Sequence, residues 1–255
     1  MVTQSEGLFA QCRWPDLPAP YAEALCEAVR FILERCPDVR GIVVSGTILR
    51  GNPAPSSDLD IYVIRRKPQR QRVQKFFNGV PVEIFINPEK KVSDYFAAER
   101  RDACPITAHM LSTGFTILDC DGVIAGLQAR ARQLLQTPPD HSAEALTFAR
   151  YRTAARYEDA TDIASTHPET SRMILGLAVH DMLRYHFLAA HRFIPRDKDL
   201  LDVLETWDAP LGALARRFYG AATIEVALAA AEQIADRTIA TRGFFEWEST
   251  PENVD

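Results

Sequence analysis

The chain has 255 residues, of which 47% are hydrophobic and 25% charged, a balance that excludes a disordered polypeptide and leaves room for one large or two modest cores. Its formal net charge of −5 is unevenly divided: residues 1–137 hold 17 Lys+Arg against 15 Asp+Glu, residues 138–255 hold 12 against 19, and an acidic second half argues against a general nucleic-acid binder. No apolar run approaches the roughly 20 residues of a membrane helix, the first twenty residues lack the pattern of a secretory signal, and the five cysteines are scattered without a C-x-x-C, so a cytoplasmic protein with reduced thiols and no membrane partner is expected.

In chain order, "PYAEALCEAVRFILERC" (Pro20 to Cys36) spaces Leu25, Val29 and Ile32 as the stripe of an amphipathic helix that packs on a sheet. "GIVVSG" predicts a short buried strand, "GNPAPSS" a loop, "DLDIYVI" a second strand and "VPVEIFINP" a third, with the basic run Arg65 to Arg72 lying between strands. A helix is expected over Ser93 to Ser112, then a strand at "FTILDC", then a helix over "DGVIAGLQARARQLLQ" with Asp121 as its N-cap. "TPPD", Thr137 to Asp140, reads as a linker. Beyond it the sequence is rich in alanine and helical periodicity, over His141 to Thr166, Glu169 to Arg192, Asp197 to Thr206, Pro210 to Tyr219 and Ala222 to Arg242. Glu169 to Arg192 is apolar nearly all round, as a central helix would be, so a four- or five-helix bundle is expected after a first domain of mixed strands and helices.

Three D-x-D pairs occur. Asp119 with Asp121, and Asp197 with Asp199, fall at turns or helix starts and read as caps and first-turn acids, whereas Asp58 and Asp60 open an apolar strand. Alternation along a strand points both carboxylates the same way. Two such groups repel unless a cation neutralises them, and magnesium, a hard ion that takes carboxylates, waters and phosphates, suits them. Upstream, Gly46 permits a tight turn, Thr47 offers a hydroxyl and Arg50 a fork for phosphate. Glu83, central in "PVEIFI", is a third misplaced charge that would converge on Asp58 and Asp60 if the two strands are neighbours.

A glycine, a hydroxyl residue, ten intervening residues, then aspartate, apolar, aspartate and a later strand acid resembles the nucleotidyltransferases of the DNA polymerase beta superfamily. "SGTILRGNPAPSSDLDIYVI" is most similar to the minimal and antibiotic-modifying members, with Gly46, Thr47, Arg50, Gly51, Ser57, Asp58 and Asp60 on their signature and Thr47 standing for the usual serine. "ITAHMLSTGFTILDCDGVIAGLQARARQLL" and "FIPRDKDLL" resemble the following segment and the helical C-terminal domain of the aminoglycoside-modifying relatives. The resemblance implies an α+β protein: a polymerase-beta-like catalytic domain over residues 1–137, with a mixed sheet and flanking helices, and an α-helical bundle over 138–255 that forms the acceptor and nucleotide cleft. It further implies two Mg2+ ions on Asp58, Asp60 and Glu83, with Glu83 as ligand, general base or both. ATP or another NTP would be held by Gly46, Thr47, Arg50, Ser57 and Lys198, and AMP passed to a small hydroxylated acceptor such as an aminoglycoside, with release of pyrophosphate. Protein or RNA acceptors, and a non-catalytic nucleotide-binding regulator, remain alternatives, and a homodimer is compatible with the family.

In the second half, Asp181 shares a stripe with Ile174, Ala178 and Tyr185 and is expected either to pair with Arg184 or to receive a cationic acceptor, while Lys198 either reaches a triphosphate or pairs with Asp202. Trp207, Trp247, Phe244 and Phe245 are expected to pack on the bundle.

Overall fold

Strands that are apolar on both faces must be covered on both faces, and the first half of the chain is built on that requirement. In a computed structural model, which describes residues 4–51, 53, 54 and 56–251, the chain divides into two compact units, residues 1–137 and 138–255. Asn52 and Pro55 of the expected loop lie outside the described residues.

The first unit runs α1 (Gln4–Phe9), α2 (Ala19–Arg35), β1 (Val39–Ser45), β2 (Leu59–Arg65), β3 (Gln71–Phe77), β4 (Val80–Pro88), α3 (Glu89–Arg101), α4 (Ile106–Thr113), β5 (Phe115–Asp119) and α5 (Val123–Gln136). The strands form one mixed sheet in the order β3-β4-β2-β1-β5; β2 and β4 are parallel, and the other neighbouring pairs antiparallel. Leu59, Ile61 and Val63 of β2 and Val82, Ile84 and Ile86 of β4 share a core with Leu25, Val29 and Ile32 of α2. Tyr62 and Ile64, on the opposite face, pack with Val92 of α3, Leu111 of α4 and Ile124 and Leu127 of α5. A slip of one residue would exchange the two faces and drive Asp60 into the core, so the register of β2 is strongly specified.

Three expectations for this unit are corrected. The basic run does not simply join strands: it leads into β3, a polar edge strand that turns into β4 through Asn78 and Gly79, both at positive φ (44° and 75°), the backbone of a tight hairpin. The single helix expected over Ser93 to Ser112 is two, because Pro105 lacks the N–H that a continuing helix would donate and disfavours helical backbone before it. The Glu99 carboxylate then accepts the Thr107 N–H at the start of α4. The N-cap of α5 is Gly122, not Asp121, and the first-turn amides are met by Asp119: its carboxylate oxygens accept from Ile124 N (3.3 Å) and Ala125 N (3.0 Å), while Asp121 pairs with Arg40 at 2.8 Å.

The second unit holds α6 (Ala143–Asp162), α7 (Pro168–Ala189), α8 (Leu200–Trp207), α9 (Ala209–Tyr219) and α10 (Ile224–Thr238). Ser142, Asp208 and Thr223 cap α6, α9 and α10 with side-chain oxygens. α7 buries Leu175, Ala178, Val179, Met182, Leu183 and Phe187 on one side. Met173 and Leu177 on the other side are exposed, so α7 is not enclosed all round: its apolar surplus lies at the surface. Trp207 packs on His186 and Phe187, Trp247 on Phe148 and Tyr151, and Phe245 under Arg150, whereas Phe244 stands in solvent. No helix among the described residues is long and apolar enough to cross a membrane.

One ion pair ties the start of β1 to the end of β2. Asp38 accepts from Arg65 through both carboxylate oxygens (2.8 and 3.1 Å) and from the Lys67 N–H (2.8 Å). These bonds, the Arg65 contact foremost, hold the Asp38 carboxyl down at about 2. A carboxylate depressed in the folded state stabilises above its unfolded pKa and loses that contribution as pH falls through the folded value. Asp38→Asn is therefore expected to cost about 2 kcal/mol at pH 7. In denaturant titrations the gap between variant and wild type should close between about pH 4 and pH 2; a gap independent of pH would refute this account.

Candidate active site

The upper ends of β1, β2 and β4 form the site. Asp60 stands opposite Ser45 across the antiparallel pair and beside Glu83 across the parallel pair, where neighbouring strands lie about 4.8 Å apart. Asp58 precedes β2 by one residue and, two positions from Asp60, projects to the same side. One carboxylate oxygen from each of Asp58, Asp60 and Glu83 lies within 4.8 Å of the other two. Octahedral Mg2+ binds oxygens at roughly 2.1 Å, so a trans pair of ligands stands about 4.2 Å apart. The donor set, all hard oxygens within 4.8 Å of one another, suits such an ion once the side chains draw inward.

Glu83 is buried and the two aspartates are partly so. Its charge is met from β3, where alternation brings Arg72 and Gln74 to the Glu83 face and the register sets Gln74 directly opposite Glu83. Arg72 Nε and Gln74 Nε2 (2.8 Å) both donate to Glu83 Oε1. The Arg72 hydrogen bond outweighs desolvation and, with Gln74, holds the Glu83 carboxyl below the usual carboxylate range.

Gly46 lies at the turn out of β1 with φ +112°, and a Cβ there would stand 3.2 Å from the Asp58 carbonyl oxygen and 3.3 Å from Asp60 Oδ2. Glycine thus permits both the conformation and the close passage of backbone beside the acids. Thr47 follows, then a single 3-10 turn over Ile48–Arg50 ended by Gly51 at φ 81°. Thr47 Oγ1 and Ser57 Oγ are hydrogen-bonded at 2.9 Å, and Ser57 Oγ accepts from Ala54 N at 2.8 Å, so the two hydroxyls of the motif hold the two ends of its loop together. Beside them opens a cavity of about 410 Å3 lined by Ser45, Gly46, Leu49, Arg50, Asp16 and Phe115 among others.

Seven of the nine residues singled out in the sequence therefore lie in the first unit, around the turn after β1 and the acid cluster. The other two lie in the helical unit. Asp181 on α7 is paired with Arg156 of α6, a partner from another helix where Arg184 of its own was expected. Lys198 is exposed in a 3-10 turn over Asp197–Asp199, and Asp202, its expected partner, is bonded by Arg216 at 2.6 Å. Arg72 and Gln74 were missed from the sequence, because the polar edge strand that carries them was read as a connection.

Among solved structures the chain is similar to a nucleotidyltransferase-like protein from Exiguobacterium sibiricum, with a TM-score of 0.50 and 16% identity over 83% of this chain and 74% of that one. This is a nucleotidyltransferase-like fold. No family model and no curated protein sequence matches the chain. The nucleotidyltransferase-like fold and the acid cluster are independent observations, one of backbone path and one of side-chain chemistry.

Gly46→Ala is expected to destabilise the protein by about 1–3 kcal/mol through backbone strain and to weaken any divalent-ion response by pressing on Asp60. Thermal melts with and without Mn2+ measure both effects, and wild-type behaviour in both would show that the close approach at Gly46 is dispensable.

Proposed function

We propose that the protein is a nucleotidyltransferase that moves a nucleoside monophosphate, AMP from ATP in the first instance, to a hydroxyl of a small molecule such as an aminoglycoside-like polyol. The observation that carries this reading is the convergence of Asp58, Asp60 and Glu83 within 4.8 Å beside an open glycine turn, on a nucleotidyltransferase-like fold.

Asp58, Asp60 and Glu83 are the residues that would hold magnesium, two ions in the family pattern; when bound, such ions neutralise phosphate charge and make an adjacent hydroxyl more acidic. Gly46 and the Arg50 fork, which line the same cavity, suit a polyphosphate. Thr47 and Ser57, by fixing that loop, hold the polyphosphate in line for attack. In the transfer, the acceptor oxygen forms a bond to the α-phosphorus, the bond from that phosphorus to the bridging oxygen breaks, and pyrophosphate departs with the electron pair. The acceptor proton passes to solvent or to a carboxylate of the cluster. Glu83, within reach of both aspartates, is assigned to holding a cation, to taking the acceptor proton, or to both.

Pyrophosphate release from ATP and Mg2+ over a panel of acceptors tests the proposal. Aminoglycosides and related polyols are expected to give release, and Asp58→Asn and Asp60→Asn to lose at least about a thousandfold in kcat, the equivalent of several kcal/mol of charge stabilisation. Full activity in a folded Asp60→Asn variant would end the proposal. Release with protein or RNA alone would reassign the acceptor, and ATP binding without turnover would mark a regulator.

A further inference from the structure

Arg72, which bonds the acid cluster, has no place in the proposed transfer. Its position is specific. It lies on β3 directly opposite Phe85, two residues from Gln74, which lies opposite Glu83. Its guanidinium carbon stands 4.9 Å from the centroid of the Phe85 ring, and that ring stacks in turn on Tyr62 at 5.8 Å and 15°. From this platform Arg72 Nε reaches Glu83 Oε1, the oxygen that also takes the Gln74 amide, and the guanidinium also feels the charge of Asp60. The Glu83 side chain is 11% exposed and cannot leave, whereas that of Arg72 is 58% exposed and opens onto solvent at the sheet edge.

Three convergent carboxylates need positive charge at all times. We propose that Arg72 is the built-in counter-ion of the acid cluster: without divalent cation it neutralises Glu83, and a cation enters by releasing the guanidinium toward solvent. Divalent-ion affinity is then set by competition with a residue of the chain itself, and Glu83 keeps a positive partner whether or not an ion is present. This inference rests on the reading of Asp58, Asp60 and Glu83 as a cation site, and the experiment separates the two.

Mn2+, a spin-active ion that accepts the same oxygen donors, is titrated into the full-length protein and followed by electron paramagnetic resonance, with thermal melts in parallel. Arg72→Gln is expected to bind Mn2+ roughly tenfold more tightly than wild type, because a repelling charge beside the ion is gone, and to melt at a lower temperature when no metal is present. Arg72→Lys, which keeps the charge, is expected to stay within about twofold to threefold of wild type, as the same charge argument requires. Equal or weaker Mn2+ binding in Arg72→Gln would overturn the counter-ion role while leaving the cation site intact. If instead Asp60→Asn and Glu83→Gln bind Mn2+ as wild type does, or neither wild type nor Arg72→Gln binds it, the acid cluster is no cation site and both readings fall.

Discussion

Like-charge repulsion among Asp58, Asp60 and Glu83 is the constraint around which the first unit is organised. Within 4.8 Å of one another and at an effective dielectric of about 20, each pair of full charges repels by roughly 3 kcal/mol or more. What holds them together is the opposite face of the same strands. Leu59, Ile61, Val63, Val82, Ile84 and Ile86 are all nearly or fully buried, and at roughly 1.5–3 kcal/mol for each large side chain removed from water their combined burial is at least comparable to the repulsion. The parallel register of β2 and β4 that buries these six also sets Asp60 beside Glu83. The acids are adjacent because the sheet cannot move them apart without exposing its core.

How much of this could be read from the sequence follows from which forces are local. β1, β2 and β4 were legible because strands covered on both faces are continuous apolar runs, and the helix over Pro20 to Cys36 because its stripe repeats with helical period. β3 was not legible as a run: on "QRVQKFF" only Phe77 is buried, since an edge strand needs few apolar residues. The signal that would have found it is the Asn78-Gly79 turn before "VPVEIF", which marks a hairpin on its own. The break between α3 and α4 was written in Pro105. At the start of α5, Asp119 and Asp121 are equivalent in sequence, and only the tertiary position of Arg40 decides which of them is drawn into an ion pair.

The same division runs through the site. Gly46, Asp58, Asp60 and Glu83 stood out because each breaks a local rule, a flexible residue at a strand end or a charge in an apolar run. Arg72 and Gln74 break none, since a polar residue on a polar strand is ordinary, and their importance appears only when the register of β3 is known. Asp181 shows the converse. It broke a rule on an apolar helix, but its partner Arg156 comes from α6, 25 residues earlier, and side-chain spacing along one helix could point only to Arg184. The acidity of the helical unit is met in part in the same way: Arg216 bonds Asp202 and Glu205, and Arg242 bonds Glu232 and Asp236.

The location of Arg72 at the edge of the sheet is what makes it suited to exchange with an ion. On β2 or β4 a guanidinium would be walled in by neighbours on both sides, and withdrawing it from Glu83 would strand a buried charge. On β3, an outermost strand, the same group moves from carboxylate to water by rotating its own side chain, and a long, weakly hydrated arginine starts that passage from a place over the Phe85 ring. Glu83, by contrast, is kept in place by Gln74 even when Arg72 departs, since a neutral amide neither competes with a cation nor leaves the carboxylate without a donor. A fixed acid, a fixed neutral donor and a movable cation on one face of one hairpin therefore keep Glu83 paired in both states.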